Sequence, residues 1–149
     1  MRVGIVDYRM GNLASASKAF EAAGAAAQVS DDADTLASAD LLVLPGVGNF
    51  AAGMSNLERL GLKDFVANWA ASERPLLGIC MGMQLFFEES DEGDAKGLGI
   101  LPGRVSKLPG EVKVPHMGWN TLEPVRESAV FEPFGGRHFY FVHSYVCEA

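Results

Sequence analysis

The residues best suited to covalent chemistry are Gly78-Ile79-Cys80-Met81-Gly82. A cysteine with a glycine two positions before it and another two after, between a strand-like and a helix-like run, has the pattern of a nucleophile elbow. Arg74-Pro75-Leu76-Leu77 leads in as a buried strand, and Met83-Gln84-Leu85-Phe86-Phe87-Glu88 follows as a helix without a breaker. The turn is so sharp that a side chain at either glycine meets neighbouring backbone. It lifts the sulfur above the sheet edge at a helix N-terminus, where the positive end of the dipole favours thiolate over thiol. The same five residues also fit a small buried cysteine beside two incidental glycines.

A second glycine-rich stretch, Pro45-Gly46-Val47-Gly48-Asn49-Phe50, follows the wholly apolar run Leu41-Leu42-Val43-Leu44. It lacks the Gly-Lys-Ser/Thr of a phosphate loop. Two readings are open: a plain strand-to-helix turn, or a mobile loop whose backbone N–H groups face the site.

The elements that must position these residues follow from periodicity. Arg2–Tyr8 reads as a buried strand. Asn12 is a candidate N-cap, Leu13, Ala16, Phe20 and Ala23 recur at helical spacing, and Gly24 can close that helix. Ala26–Val29 reads as a weak strand. Asp31-Asp32-Ala33-Asp34 is either a metal site or, as the dipole favours, the acidic start of a helix. Leu62, Phe65, Val66 and Trp69 form the buried stripe of an amphipathic helix. Strands alternating with helices predict a parallel sheet covered on both faces, with its active site at the carboxyl ends of the strands. Gly48 and Cys80 both fall at that edge.

The second half is different. Asp91–Gly97 is a polar loop. Between Gly99 and Val125, Pro102, Pro109, Pro115 and Pro124 break up short β-like pieces, an antiparallel excursion at the sheet's edge and not a second domain. Pro115-His116-Met117-Gly118-Trp119-Asn120 is either a packed turn with Trp119 as a core anchor or a contact surface. His138–Val146 reads as another buried strand.

Composition bounds the function. The 149 residues suit one domain. A net charge of −7 argues against a nucleic-acid partner. Two cysteines, Cys80 and Cys147, suggest neither a disulfide framework nor a zinc site, so a reducing cytoplasm is the default. No apolar run reaches the ~18 residues of a membrane span, and no signal peptide is visible.

Taken together, Gly78–Gln84 resembles the nucleophile motif of class I (triad) glutamine amidotransferases. Asp7-Tyr8 with Gly11-Asn12-Leu13, Pro45–Phe50, Pro115–Asn120 and Tyr140-Phe141-Val142-His143-Ser144-Tyr145 are similar to the glutaminase subunits of imidazole glycerol phosphate synthases. The resemblance spans essentially the whole chain. The fold expected with it is an α/β, flavodoxin-like three-layer sandwich, mostly parallel with an antiparallel excursion in the second half, as one domain over residues 1–149. The resemblance implies that Cys80 attacks the side-chain amide of glutamine, releases ammonia and leaves a γ-glutamyl thioester for water to hydrolyse. It implies oxyanion donors at Met81 and in the Val47-Gly48 loop, and contacts to glutamine from Gln84, Ser144 and Tyr145. The implied partner is a (β/α)8-barrel cyclase subunit of histidine biosynthesis, which takes the ammonia at a face including His116, Met117, Trp119 and Asn120. No cofactor and no metal are implied.

The family's catalytic base and its orienting acid stand in a His-x-Glu motif downstream, and none of the three histidines here begins one. His143 is read as structural or substrate-adjacent. The chain is therefore expected to be the N-terminal part of a longer subunit and not to sustain turnover by itself. Two other readings remain: a flavodoxin-like cysteine hydrolase of the protease/chaperone type, which commonly has His where Met81 stands, and a catalytically dead scaffold.

Overall fold

The computed structural model describes residues 1–93, 95–124 and 127–149. The chain forms two compact units, one of residues 1–106 with 147–149, the other of Lys107–Val146.

The first unit is built on β1 (Arg2–Val6), β2 (Ala26–Ser30), β3 (Leu41–Gly46) and β4 (Leu76–Cys80), all parallel in the order β2-β1-β3-β4. Side-chain alternation divides the two faces. Val3, Ile5 and Val43 pack with Leu13, Ala16 and Phe20 of α1 (Leu13–Ala22). Gly4 faces the other way, where a Cβ would lie 3.0 Å from that of Ala39 and 3.1 Å from Leu36 of α2 (Ala33–Ala37). Helices on opposite faces of a parallel sheet make the expected three layers. The helix starts are capped as the sequence indicates. Asn12 accepts from the Ser15 N–H, and Asp32 accepts from the Thr35 N–H. The Asp31–Asp34 run is thus a helix start, with Asp31 paired to Arg9.

Two helices, not one, join β3 to β4: α3 (Phe50–Arg59) and α4 (Leu62–Ala71). The α3 signal is present at Phe50, Gly53, Met54 and Leu57, all buried. Gly53 weakens its propensity, and a Cβ there would lie 3.1 Å from the Met81 sulfur, closer than an ordinary contact. Trp69 of α4 donates its indole N–H to the Pro75 carbonyl, and the Arg74 guanidinium lies 3.4 Å from the centre of the Trp69 ring. These contacts pin the lead-in to β4.

Two expectations around the elbow are corrected. β4 is an edge strand and not a buried one: Leu77 and Ile79 are exposed. The helix after Cys80 is one turn, α5 (Met81–Gln84), and does not reach Glu88. Beyond Leu85 the i→i−4 bonds are not made: the Phe86 and Phe87 N–H groups donate three residues back, to Met83 and Gln84, and the Glu88 N–H donates to the Gly103 carbonyl. The chain returning from residue 97 to 101 takes up the carbonyls of residues 85–88. Gly97 N–H donates to Glu88, Leu98 to Leu85, Gly99 to Phe87, and Ile100 to Phe86. Leu85, Phe86 and Phe87 turn inward instead. A second sheet, ordered β10-β7-β5-β6, holds β5 (Glu89–Ser90), β6 (Ala95–Lys96), β7 (Arg104–Lys107) and β10 (Tyr145–Glu148). β5 pairs antiparallel with β6 and parallel with β7.

The second unit contains an antiparallel ribbon of β8 (His116–Thr121) and β9 (His138–His143). The strand expected over His138–Val146 breaks at Ser144 between β9 and β10, and it is not buried: Tyr140 and Val142 are both more than half exposed. Among the described residues, no helix is long and apolar enough to cross a membrane.

Candidate active site

Cys80 ends β4 and caps α5 with φ 54° and ψ −119°. A non-glycine residue held at positive φ stores about 1–3 kcal/mol of strain and persists only where its surroundings over-determine it. Those surroundings are three glycines. A Cβ on Gly78 would lie 2.4 Å from the Met83 Cα, and one on Gly82 would lie 1.8 Å from the Leu44 carbonyl oxygen. A Cβ on Gly46 would lie 2.5 Å from the Gly82 nitrogen and 2.5 Å from the Tyr8 hydroxyl. Without these side chains β3, the elbow and α5 close backbone to backbone. The Cys80 side chain remains exposed.

Register brings the second motif to the same edge. Gly46 pairs with Cys80 at the carboxyl ends of β3 and β4. Val47 and Gly48 follow, with Val47 54% exposed and Gly48 at φ 101°. Asn49 then caps α3 by accepting from the Ala52 N–H, and Glu92 accepts from the Phe50 N–H. The loop after β1 runs along this segment. Tyr8 abuts Gly46, and a Cβ on Gly11 would lie 3.4 Å from the Pro45 carbonyl oxygen. The Met10 methyl is 3.0 Å from a Cβ position on Gly48.

Cys80, Val47, Gly48, Met81 and Gln84 are therefore all in the first unit. Met81, the first residue of α5, buries its side chain beside Gly53, and Gln84 closes the turn, buried. Sequence reasoning gave no role to Gly46 or to the Tyr8 hydroxyl. Both were visible only as members of motifs, because the contact between them joins two strand ends far apart in sequence. Cys147 is a free thiol in the same unit. Burial, and then the charge of a Cys80 thiolate, push it up to about 11.

The remaining candidates lie in the second unit. The Ser144 carbonyl accepts from the Leu108 N–H. His143 Nδ1 is 2.9 Å from the Tyr145 carbonyl, and its Nε2 is 3.1 Å from His116 Nδ1. A carbonyl only accepts, so His143 Nδ1 carries a proton. Both His143 ring nitrogens are engaged, which suits the structural reading of this residue. Trp119 is 71% exposed and so is no core anchor. It shares a ribbon face with Met117, Tyr140 and Val142, its cross-strand partner being Tyr140.

This edge places a strained, exposed cysteine beside the Val47-Gly48 backbone. The glutamine amidotransferase class-I family model matches residues 5–149. The chain is 51% identical over 152 residues to the imidazole glycerol phosphate synthase subunit HisH of Symbiobacterium thermophilum, covering 99% of this chain and 70% of that protein. Against the subunit of the same name from Cutibacterium acnes it is 50% identical over 147 residues, covering 97% and 71%. A solved structure described as a glutamine amidotransferase shares the fold, with a TM-score of 0.78 at 20% identity over 99% of this chain and 74% of that one. The chain belongs to the class-I glutamine amidotransferases and, within them, to the HisH subunits of imidazole glycerol phosphate synthase.

Proposed function

We propose that this chain carries the nucleophile and the oxyanion donors with which such a subunit hydrolyses glutamine. The observation that carries the reading is Cys80, exposed and strained at the strand end, with the Val47-Gly48 segment beside it. The Cys80 thiolate attacks the side-chain amide carbon of glutamine. The N–H of Met81 and one N–H of the Val47-Gly48 loop receive the developing oxyanion, each worth about 3–4 kcal/mol in comparable sites. The C–N bond breaks as a general acid protonates the leaving nitrogen, the work that the family gives to the His of a His-x-Glu motif and to none of the three histidines here; ammonia departs, and water, deprotonated by the same group, releases glutamate from the thioester. Gln84, Ser144 and Tyr145 hold the substrate in this reading.

Ammonia passes to a (β/α)8-barrel cyclase subunit. The ribbon face bearing Met117 and Trp119, with His116 and Asn120 on the same strand, is the proposed docking surface. Exposed aromatic and methionine side chains there support it. A cytoplasmic location is proposed with it, since Cys80 must stay a free thiol to act.

The test is alkylation by a chloroketone analogue of glutamine. Cys80 should label stoichiometrically, with saturation and with protection by glutamine, and Cys80→Ser should abolish the adduct while leaving the fold intact. Labelling that glutamine does not compete, or that falls on Cys147, refutes the reading.

A further inference from the structure

Among the described residues, the Tyr8 hydroxyl is the buried side-chain polar atom that lacks a hydrogen-bond partner. The ring is fully buried, so the hydroxyl is out of water. Leaving such a group unpaired costs about 1–3 kcal/mol, and phenylalanine would fill the same space without that cost. Its position is specific. It lies 2.5 Å from a Cβ position on Gly46, one bond from the Cα whose peptide leads into Val47. Any side chain at position 46 would evict it.

We propose that Tyr8 is a positioning residue of the oxyanion hole, whose hydroxyl donates to the Gly46 carbonyl when the Gly46–Val47 peptide turns its N–H toward the substrate oxygen. This rests on the glutaminase reading above. The reasoning is peptide geometry. A trans peptide points its N–H and C=O in opposite directions. Aiming the Val47 N–H outward at the oxyanion aims the Gly46 carbonyl inward, where it needs a buried donor. The Tyr8 hydroxyl lies against Gly46, from which that peptide leaves, with its hydrogen unused. The phenol keeps its proton, because burial first and negative charge at Cys80 second push its pKa up. Gly46 gives the peptide freedom to turn. The hydroxyl thus favours the state in which the hole is formed, and it does so without touching substrate.

The test is Tyr8→Phe in this chain, with the rate of Cys80 alkylation followed against chloroketone concentration. One hydrogen bond made only in the competent state predicts a limiting rate lower by about threefold to tenfold. The half-saturating concentration should not change, because glutamine contacts are untouched. The thermal midpoint should stay the same or rise, since the orphan is gone. An unchanged limiting rate overturns the proposal. So does a lower midpoint, or a change confined to the half-saturating concentration, either of which gives Tyr8 another role. If wild-type Cys80 fails to label saturably, the glutaminase reading itself falls, and that outcome is distinct from a defect seen only in Tyr8→Phe.

Discussion

Gly82→Ala tests whether the elbow is closed by backbone contact. The added Cβ would sit 1.8 Å from the Leu44 carbonyl oxygen and 2.7 Å from its carbon. Ordinary contact needs about 3.3 Å, so the first turn of α5 must retreat by roughly 1.5 Å from β3. Neither side yields easily. Leu44 is held opposite Gly78 in the β3–β4 ladder, and α5 carries the buried Met81, with Leu85, Phe86 and Phe87 just beyond it. Overpacking a fixed site costs typically 1–3 kcal/mol, and two opposing backbones place this case at the top of that range, about 3 kcal/mol. Gly24→Ala is the control. Gly24 has φ 81° but nothing within 4 Å of its Cβ position, so only the left-handed backbone is penalised, by about 1 kcal/mol. Chemical denaturation followed by circular dichroism measures both. Gly82→Ala should also slow analogue labelling of Cys80, while Gly24→Ala should not. If Gly82→Ala unfolds within about 1 kcal/mol of wild type and labels normally, the elbow does not rest on β3 as described.

Two further predictions concern Cys147 and Trp119. Since the Cys147 thiol is raised to about 11, its reactive thiolate is scarce at neutral pH and grows as pH climbs toward that value. Iodoacetamide adducts counted by mass spectrometry should be slow to form on Cys147 at pH 8 and should rise about tenfold per pH unit; Cys80→Ser removes one of the two causes and should shift that rise to lower pH. Rapid modification of Cys147 at pH 8 contradicts the burial argument. Trp119→Ala should weaken binding of the cyclase subunit, measured by titration calorimetry, by roughly 30-fold if it is a hot spot. Because Trp119 is mostly exposed, the same variant should unfold within about 0.5 kcal/mol of wild type; loss of stability with unchanged binding would reverse the assignment.

The parts of this fold legible in the sequence are those fixed by short-range physics. Asn12 and Asp32 cap helices because their side chains reach N–H groups three residues on. The all-apolar Leu41–Leu44 run reads correctly as an interior strand because β3 is flanked on both sides. The same reasoning misjudged Leu76–Ile79, equally apolar but at the sheet edge, since an apolar run reports hydrophobicity and not the number of strand neighbours. The helix expected through Glu88 stops at Gln84 because the Glu88 N–H goes to the Gly103 carbonyl, fifteen residues on, and Phe86 and Phe87 tighten to three-residue bonds. Trp119 shows the converse: a large aromatic in a β-prone run is no guarantee of a core position. At the site, Gly78, Cys80 and Gly82 announce themselves by spacing. The Gly46–Tyr8 contact does not, because it joins residues 38 apart through the packing of two strand ends.

Gly78 and Gly82 on one side and Gly48 on the other divide the site into a rigid part and a movable part. Strain at Cys80 survives because the backbone on either side cannot relax. Gly78 and Gly82 are pressed against Met83 and Leu44, the lead-in is tied through Trp69 and Arg74, and the exit is tied by the bonds from residues 97–100. The sulfur is therefore held before any substrate arrives, which is where pre-organisation lowers a barrier most. Val47 and Gly48 are built differently. Val47 projects outward, and Gly48 sits at a positive φ that glycine adopts without strain, with only a flexible Met10 methyl close to its Cβ position. A peptide there can change orientation without moving Cys80. In the function proposed above, such an arrangement separates binding from rate: substrate meets a finished nucleophile while the oxyanion donor is still turned away. Control of the reaction then requires only the few kcal/mol that separate two orientations of one peptide, an amount that a docked partner or a single buried hydroxyl can supply.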